Sequence, residues 1–135
     1  MKGLGSACMA LALAAACTAS AAVARLGRSW WPDMQTITAL EAQARTRLPA
    51  GAAPLERYDR SYAGVWISGR RMVEGVYWKV PDEPYRDGRP PPLPAIHIVA
   101  PDKLPFSSDG GCDTVTVIYD MATAKFAGAF CNGVA

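Results

Sequence analysis

The first 24 residues limit what this chain can fold into, because they have the pattern of a secretory signal peptide rather than of a domain segment. Lys2 supplies a positive start, residues 4–16 form an uncharged apolar run, and small residues surround Ala24. The run is alanine-rich and shorter than the roughly 20 strongly apolar residues of a membrane-spanning helix. We therefore predict cleavage after Ala24, which leaves residues 25–135 as one small periplasmic or secreted domain.

Cys17 gives this leader a second interpretation. Residues 13–17, Leu-Ala-Ala-Ala-Cys, resemble the bacterial lipobox, in which small residues precede a cysteine that is lipidated and becomes the new N-terminus. The position three before that cysteine is usually leucine, and here it is Ala14. The two alternatives are a free domain and a lipoprotein of the bacterial envelope, for which Cys17 would be the single link to a membrane.

The cysteines remaining after cleavage predict a disulfide. The chain has four cysteines, of which two, including Cys17, lie in the leader, so that Cys112 and Cys131 remain. An even pair in an exported chain is typical of a disulfide bond. Both thiols are then used in the bond, so a structural role is enough to account for the two cysteines.

The strands around these cysteines form a predicted hairpin with two alternative registers. If Tyr119 pairs with Ala124, the two cysteines are directly opposite, and this is the register that we favour. If Asp120 pairs with Lys125, they are diagonal, and a bulge at residues 110–111 has to close the gap. In both registers we expect the bulky face, with Phe130, to meet the helix and the cystine to lie on the other face.

Charge and composition exclude several function classes. The formal net charge is +2, and acidic and basic residues alternate, as in residues 55–60 (LERYDR), so no basic surface for nucleic acid is predicted. One histidine and one paired set of cysteines do not make a zinc site. We expect no metal, no cofactor and no nucleic-acid partner.

An amphipathic helix is predicted over residues 33–48. Pro32 and Asp33 are typical of a helix start, and Pro49 ends the pattern. Apolar residues recur at steps of three and four and form one stripe. These residues are Met34, Ile37, Leu40, Ala44 and Leu48.

About five strands follow, over residues 62–67, 71–80, 95–100, 113–119 and 125–131. Residues 81–94 are proline-rich and are predicted to be a loop that acts as a stiff connector. The predicted fold is α+β, with one N-terminal helix packed on an antiparallel sheet, an arrangement that is cystatin-like by analogy. The predicted core consists of Ile37, Leu40, Leu48, Val76, Val117 and Phe126.

The first two strands predict a hairpin with aromatic residues on both faces. If Ser68 pairs with Arg71, one face carries Tyr62, Trp66, Val73 and Tyr77 as an apolar stripe. Glycines at 64 and 75 interrupt the stripe. We interpret this stripe as a candidate surface for a ligand or a partner strand, with coverage by the proline loop or by residues 30–31 as the alternative.

A second site hypothesis pairs Cys112 as a thiolate nucleophile with His97 as its base. Residues 108–114 (SDGGCDT), preceded in the chain by His97, resemble the Ser-His-Gly-Cys-x-Arg motif of the L,D-transpeptidase family. The motif has an arginine where this chain has Thr114, and its own histidine is missing. The resemblance implies a cysteine-dependent envelope enzyme. The residues that would orient the imidazole are Asp109, Asp113 or Asn132.

These observations favour a small, disulfide-bonded envelope protein that is not an enzyme and that acts as a binding or inhibitor module. Its partner would be an envelope protein or a small ligand. The alternative is the enzyme that uses Cys112 and His97.

Overall fold

The computed structural model describes residues 29–133. The predicted leader and Cys17 lie outside these residues, so the signal peptide and the lipid anchor stay predictions. The described chain is an α+β fold with one α-helix and a five-stranded mixed sheet. The elements are α1 (Met34–Ala44), β1 (Tyr58–Ile67), β2 (Arg70–Lys79), β3 (Ile96–Ile98), β4 (Gly111–Asp120) and β5 (Lys125–Asn132).

The strands lie in the order β3-β1-β2-β4-β5. All neighbouring strands are antiparallel except β3, which runs parallel to β1 and corrects the prediction of an all-antiparallel sheet. A tight hairpin forces antiparallel pairing, whereas the long connection before β3 lets the chain pass around β1 and return in the same direction. Backbone bonds from Arg60 to Ala95 and from Val99 to Tyr62 hold β3 at this edge.

Helix α1 begins where the sequence predicts and ends earlier. The carboxylate of Asp33 caps it by accepting a hydrogen bond from the backbone of Thr36 at 2.7 Å, which lowers the pKa of Asp33. The helix ends at Ala44 instead of Leu48. Thr46 and Arg47 donate to carbonyls three residues back instead of four, and Leu48 precedes Pro49, a position that disfavours helical backbone. In the described residues no helix is long and apolar enough to span a membrane.

The hairpin of β1 and β2 uses Ser68 and Gly69 as its two turn residues, both with positive φ. Ile67 therefore pairs with Arg70, and the predicted pairing of Ser68 with Arg71 is wrong. The two-residue turn lies one residue earlier in the chain, so each residue of β1 pairs with a β2 residue two positions before the predicted one. An even shift leaves every side chain on its predicted face, because side chains alternate with a period of two.

The hydrophobic core lies between α1 and one face of the sheet, which we call the helix face. Val76 is buried on the opposite face, and Leu48 and Phe126 are only partly buried against the core, so the predicted core is correct for Ile37 and Leu40 on the helix and for Val117 on the sheet. Four tyrosines supply much of the core volume. The buried core residues are Ile37, Leu40, Ala44, Leu55, Tyr58, Tyr62, Val73, Tyr77, Val115, Val117 and Tyr119.

The opposite face of the sheet is covered in part by residues 99–110, which connect β3 to β4 across β1 and β2. On this face Thr116 donates a hydrogen bond to Asn132, whose amide donates to the carbonyl of Ser107 at 3.4 Å. Ser107 of this connection therefore lies over β4 and β5. Val76 and Thr116 are buried on this face although α1 is on the other side.

Candidate functional site

The apolar stripe predicted as a binding surface lies in the core. Tyr62, Val73 and Tyr77 are fully buried on the helix face, and Trp66 is half-buried near the end of β1. The prediction of an exposed surface is therefore wrong. The alternation of residues places these side chains on one face correctly, but only the packing of α1 decides which face is covered.

The two glycines of the stripe make room for the protein's own side chains. A Cβ added at Gly75 would lie 2.7 Å from Val117 Cγ2 and 2.9 Å from the ring of Tyr62. At Gly64 the carbonyl and indole of Trp30 occupy the corresponding space, and Trp30 Nε1 donates to the carbonyl of Val65 at 3.2 Å. The glycines thus accommodate internal packing and not a ligand.

A buried polar network ties α1 to the sheet at this position. Glu41 Oε1 accepts hydrogen bonds from Arg60 Nε at 2.8 Å and from the hydroxyl of Tyr62 at 2.9 Å. The hydroxyl of Tyr77 lies 3.1 Å from that of Tyr62, and Arg60 also donates to two backbone carbonyls. In residues 29–133 no buried side-chain nitrogen or oxygen lacks a partner. The network is a structural element, because its groups are satisfied by one another.

The tyrosines of this network predict a loss of stability at alkaline pH. Burial raises the pKa of both Tyr62 and Tyr77 above the ordinary tyrosine value. Because the folded pKa is the higher one, this stability is complete below about pH 10 and is lost above it, by up to about 1.4 kcal/mol per pH unit for each group. Urea unfolding between neutral and alkaline pH measures the slope, and Tyr77→Phe should reduce it. The prediction would be contradicted if Tyr62 and Tyr77 titrated in the folded protein with the ordinary tyrosine pKa.

Cys112 and Cys131 form the predicted disulfide, with their Cα atoms 4.5 Å apart. The hairpin takes the tighter register, in which Asp120 pairs with Lys125, and not the one that we favoured. Residues 112–114 form a bulge toward β5: they have no partner there between two regular pairs, although Thr114 still pairs with Trp78 of β2. The bulge expected for this register is thus present, although it follows residues 110–111 instead of including them.

A second irregularity changes which face of β5 meets the core. Ala127 is an extra residue opposite the Ile118–Tyr119 step of β4. One extra residue reverses the faces of all later side chains. Cys131 therefore packs against the core, and Phe130 lies on the opposite face and is about half exposed. The prediction that Phe130 meets the helix and that the cystine lies on the other face is wrong.

His97 lies on the edge strand β3, far from the disulfide. Its Nε2 is 3.0 Å from both carboxylate oxygens of Asp59, and Asp59 also accepts a hydrogen bond from the backbone of Ala95 at 2.9 Å. Thr116 of β4 is in register with His97 across β1 and β2, about 14 Å away by strand spacing, and Cys112 lies four residues further along β4. The structure does not bring Cys112 and His97 together, and the sulfur of Cys112 is bonded to Cys131.

The most prominent exposed feature is the segment of residues 81–94, which we call the projecting loop. Val80 donates to the carbonyl of Arg57, and Ala95 donates to Asp59, so both ends of the loop are fixed beside the start of β1. These ends are about 12 Å apart, given two strand spacings and two residues along β1. About four extended residues would span that distance, yet the loop has 14.

The projecting loop is ordered by its own contacts. Tyr85 donates a backbone hydrogen bond to Arg89 at 2.9 Å, and Gly88 donates to Tyr85 at 2.8 Å. Asp87 accepts from both the backbone and the guanidinium of Arg89, which lies 5.2 Å from the centre of the Tyr85 ring. Asp82 pairs with Arg57 beside the base of the loop. A loop with these bonds and six prolines has less conformational entropy to lose on binding than a free one.

Almost every residue of the projecting loop is exposed, including apolar ones. Leu93 is 88% exposed and lies between Pro92 and Pro94, and Tyr85 is 40% exposed. An ordered segment that is longer than its connection needs, and that displays apolar side chains to solvent, is typical of a binding loop.

The sequence predicted this loop as a stiff connector. The absence of a helix or strand over residues 81–94 confirms the predicted loop, but 14 residues are far more than a connector needs here. The feature that sets this loop apart is its length, which exceeds the distance between its two ends. That distance is known only once β2 and β3 are seen to lie on either side of β1.

Among the described residues, 29–133, no group of three or more histidine, cysteine, aspartate or glutamate side chains is arranged to hold a metal ion. Models of known protein families, curated proteins and solved structures were compared with the chain, and none matches it.

Proposed function

We propose that the protein is a small exported binding or inhibitor module without catalytic activity, and that its projecting loop contacts the partner. The observation that carries this proposal is the 14-residue loop, which closes a gap that a few residues would span. Binding segments are commonly loops held by a rigid scaffold. Here the scaffold is the five-stranded sheet, with β1 fixing both ends of the loop.

Two features support the exported location. The first is the leader pattern of residues 1–24, and the second is the disulfide between Cys112 and Cys131, since such bonds persist in oxidising compartments. We propose a periplasmic or secreted protein, with a lipoprotein anchored at Cys17 as the alternative. The mass of the intact protein from its native host distinguishes these cases, because cleavage site, lipid and disulfide each change it.

The same sample tests the enzyme alternative. Titration of free thiols in the processed protein should find none, because Cys112 and Cys131 are bonded. One reactive thiol in the native protein, together with activity on peptidoglycan fragments, would favour the cysteine-dependent enzyme instead.

Site-specific photocrosslinking in the native host tests the loop. A photoreactive residue at Leu93 or Tyr85 should give an adduct with an envelope protein, whereas one at Phe106, which is 85% exposed outside the loop, should not. A second variant replaces residues 82–93 with four glycine and serine residues and keeps the fixed positions 80 and 95. We expect it to fold, to retain the disulfide and, with the photoreactive residue placed in the shortened loop, to give no adduct. Equal crosslinking at Leu93 and Phe106 would contradict the proposal.

A further inference from the structure

We infer that two copies of the protein associate through the outer edges of β5, which pair in antiparallel orientation about Phe130 and join the two sheets into one. This inference goes beyond the proposed function, because β2 and β4 separate β5 from β1, the strand that holds the projecting loop. It starts from Gly128, a glycine inside β5.

Gly128 is not explained by packing within its own chain. Among residues 29–133 it is the one glycine with neither a positive φ nor a neighbour within 4 Å of an added Cβ. A glycine inside a strand weakens that strand, and it often marks a place where another backbone approaches closely. Gly128 pairs with Ile118, two residues from Thr116, so its open side lies on the face of the sheet opposite α1.

The outer edge of β5 is open to a further strand over residues 128–132. At one end Gln43 of α1 occupies the edge, because its side-chain amide donates to the carbonyl of Ala124 at 2.8 Å and accepts from the backbone of Phe126 at 3.3 Å. At the other end Gly133 has a φ of +81° and leaves the extended conformation. Between these ends no strand of the described chain pairs with the edge.

The backbone of this segment is oriented for pairing. The amide of Phe126 bonds to α1 and so points away from β4, and after the extra residue Ala127 the outward positions are Ala129 and Cys131. In an antiparallel pair centred on Phe130, Ala129 of each copy lies opposite Cys131 of the other. Each such pair exchanges both of its N–H···O bonds.

A second copy fits this edge because residues 128–132 are complementary to themselves. They include no charged residue and no proline, the residues that usually protect an edge strand, so self-pairing brings no like charges together. Their midpoint is Phe130, which is 52% exposed, and a two-fold axis there sets the two rings side by side. Gly128 of one copy then faces Asn132 of the other, whose amide holds the carbonyl of Ser107. A side chain at position 128 would meet that connection of the second copy.

Sedimentation equilibrium of the processed domain with its disulfide tests the inference. The pairing segment is short, so we expect a monomer–dimer equilibrium with a dissociation constant of about 10–100 µM. Gly128→Val should weaken association about 10-fold or more and leave the urea midpoint of dilute protein unchanged, because a Cβ there meets nothing within 4 Å in the monomer. Phe130→Lys should also weaken it, because two like charges would face each other at the axis. Leu93→Lys is the matched control at an exposed apolar residue outside β5 and should leave association unchanged.

Amide hydrogen exchange gives an independent readout. The amides of Ala129 and Cys131 should become protected as the protein concentration rises, and Gly128→Val should abolish this protection. A monomer at about 500 µM would overturn the inference. A dimer that Gly128→Val and Phe130→Lys leave intact would also overturn it, because that dimer uses another surface. Protection that appears only after an envelope extract is added would assign the edge to a strand of another protein and overturn the inference as well. None of these outcomes changes the crosslinking test of the projecting loop.

Discussion

Replacing Glu41 with alanine is expected to lower the free energy of unfolding by about 3 to 5 kcal/mol, because it leaves a buried guanidinium without its carboxylate. The side chains of Glu41 and Arg60 are only 11% and 12% exposed. The hydroxyl of Tyr62 loses its acceptor in the same substitution, and a buried donor without a partner adds to the cost. The substitution removes the Glu41–Arg60 contact that links α1 to β1.

Urea unfolding at neutral pH, followed by circular dichroism, measures this effect. Glu56→Ala is the matched control, because Glu56 also pairs with an arginine but does so at the surface, where the cost should be about 0 to 1 kcal/mol. The double substitution Glu41→Leu with Arg60→Met should cost far less than Glu41→Ala alone, since it leaves no unpaired charge. An equal loss for Glu41→Ala and Glu56→Ala would show that the network does not hold the helix.

Replacing both Cys112 and Cys131 with serine is expected to lower the free energy of unfolding by about 3 kcal/mol. The bond joins positions 19 residues apart and restricts the unfolded chain by closing that loop. It also holds the bulge at residues 112–114. The carbonyl of Cys112 accepts a 2.6 Å hydrogen bond from the buried Tyr58, so we expect the loss to include this contact.

Comparison of oxidised and reduced protein separates the bond from the substitutions. Reduction of the unsubstituted protein should lower its stability by nearly the same amount as the double substitution. The double variant should not respond to the reductant. A difference of less than about 1 kcal/mol between oxidised and reduced protein would contradict the prediction and assign the bulge to backbone contacts alone.

Local features of the chain were predictable because their causes are local. The side chain of Asp33 caps the first turn of α1, so the start of the helix follows from one residue and its neighbours. Alternation placed Tyr62, Val73 and Tyr77 on one face, and a shift of the pairing register by two positions did not disturb that result. The proline content of residues 81–94 excluded an inner strand.

The bulges in the last hairpin mark where sequence reasoning failed. Ala127 carries no signal that it lies outside the regular pairing, yet its insertion turns Phe130 away from the helix and Cys131 toward the core. A bulge depends on what packs on both faces of a strand, and here α1 and residues 99–110 lie on opposite sides. The candidate site failed for a related reason, since the predicted stripe was already covered by the helix.

By itself, the sequence determined the helix, the number of strands, the cysteine pair and the loop at residues 81–94, because each depends on short-range periodicity, on proline or on a residue count. Only the tertiary structure decided that β3 runs parallel to β1, that α1 covers the tyrosine face and that the loop is longer than its gap. These properties depend on which distant segments pack together. The exposure of Leu93 also belongs to this second group. The sequence shows an apolar residue between two prolines, and only the packing of the chain shows that no other segment covers it.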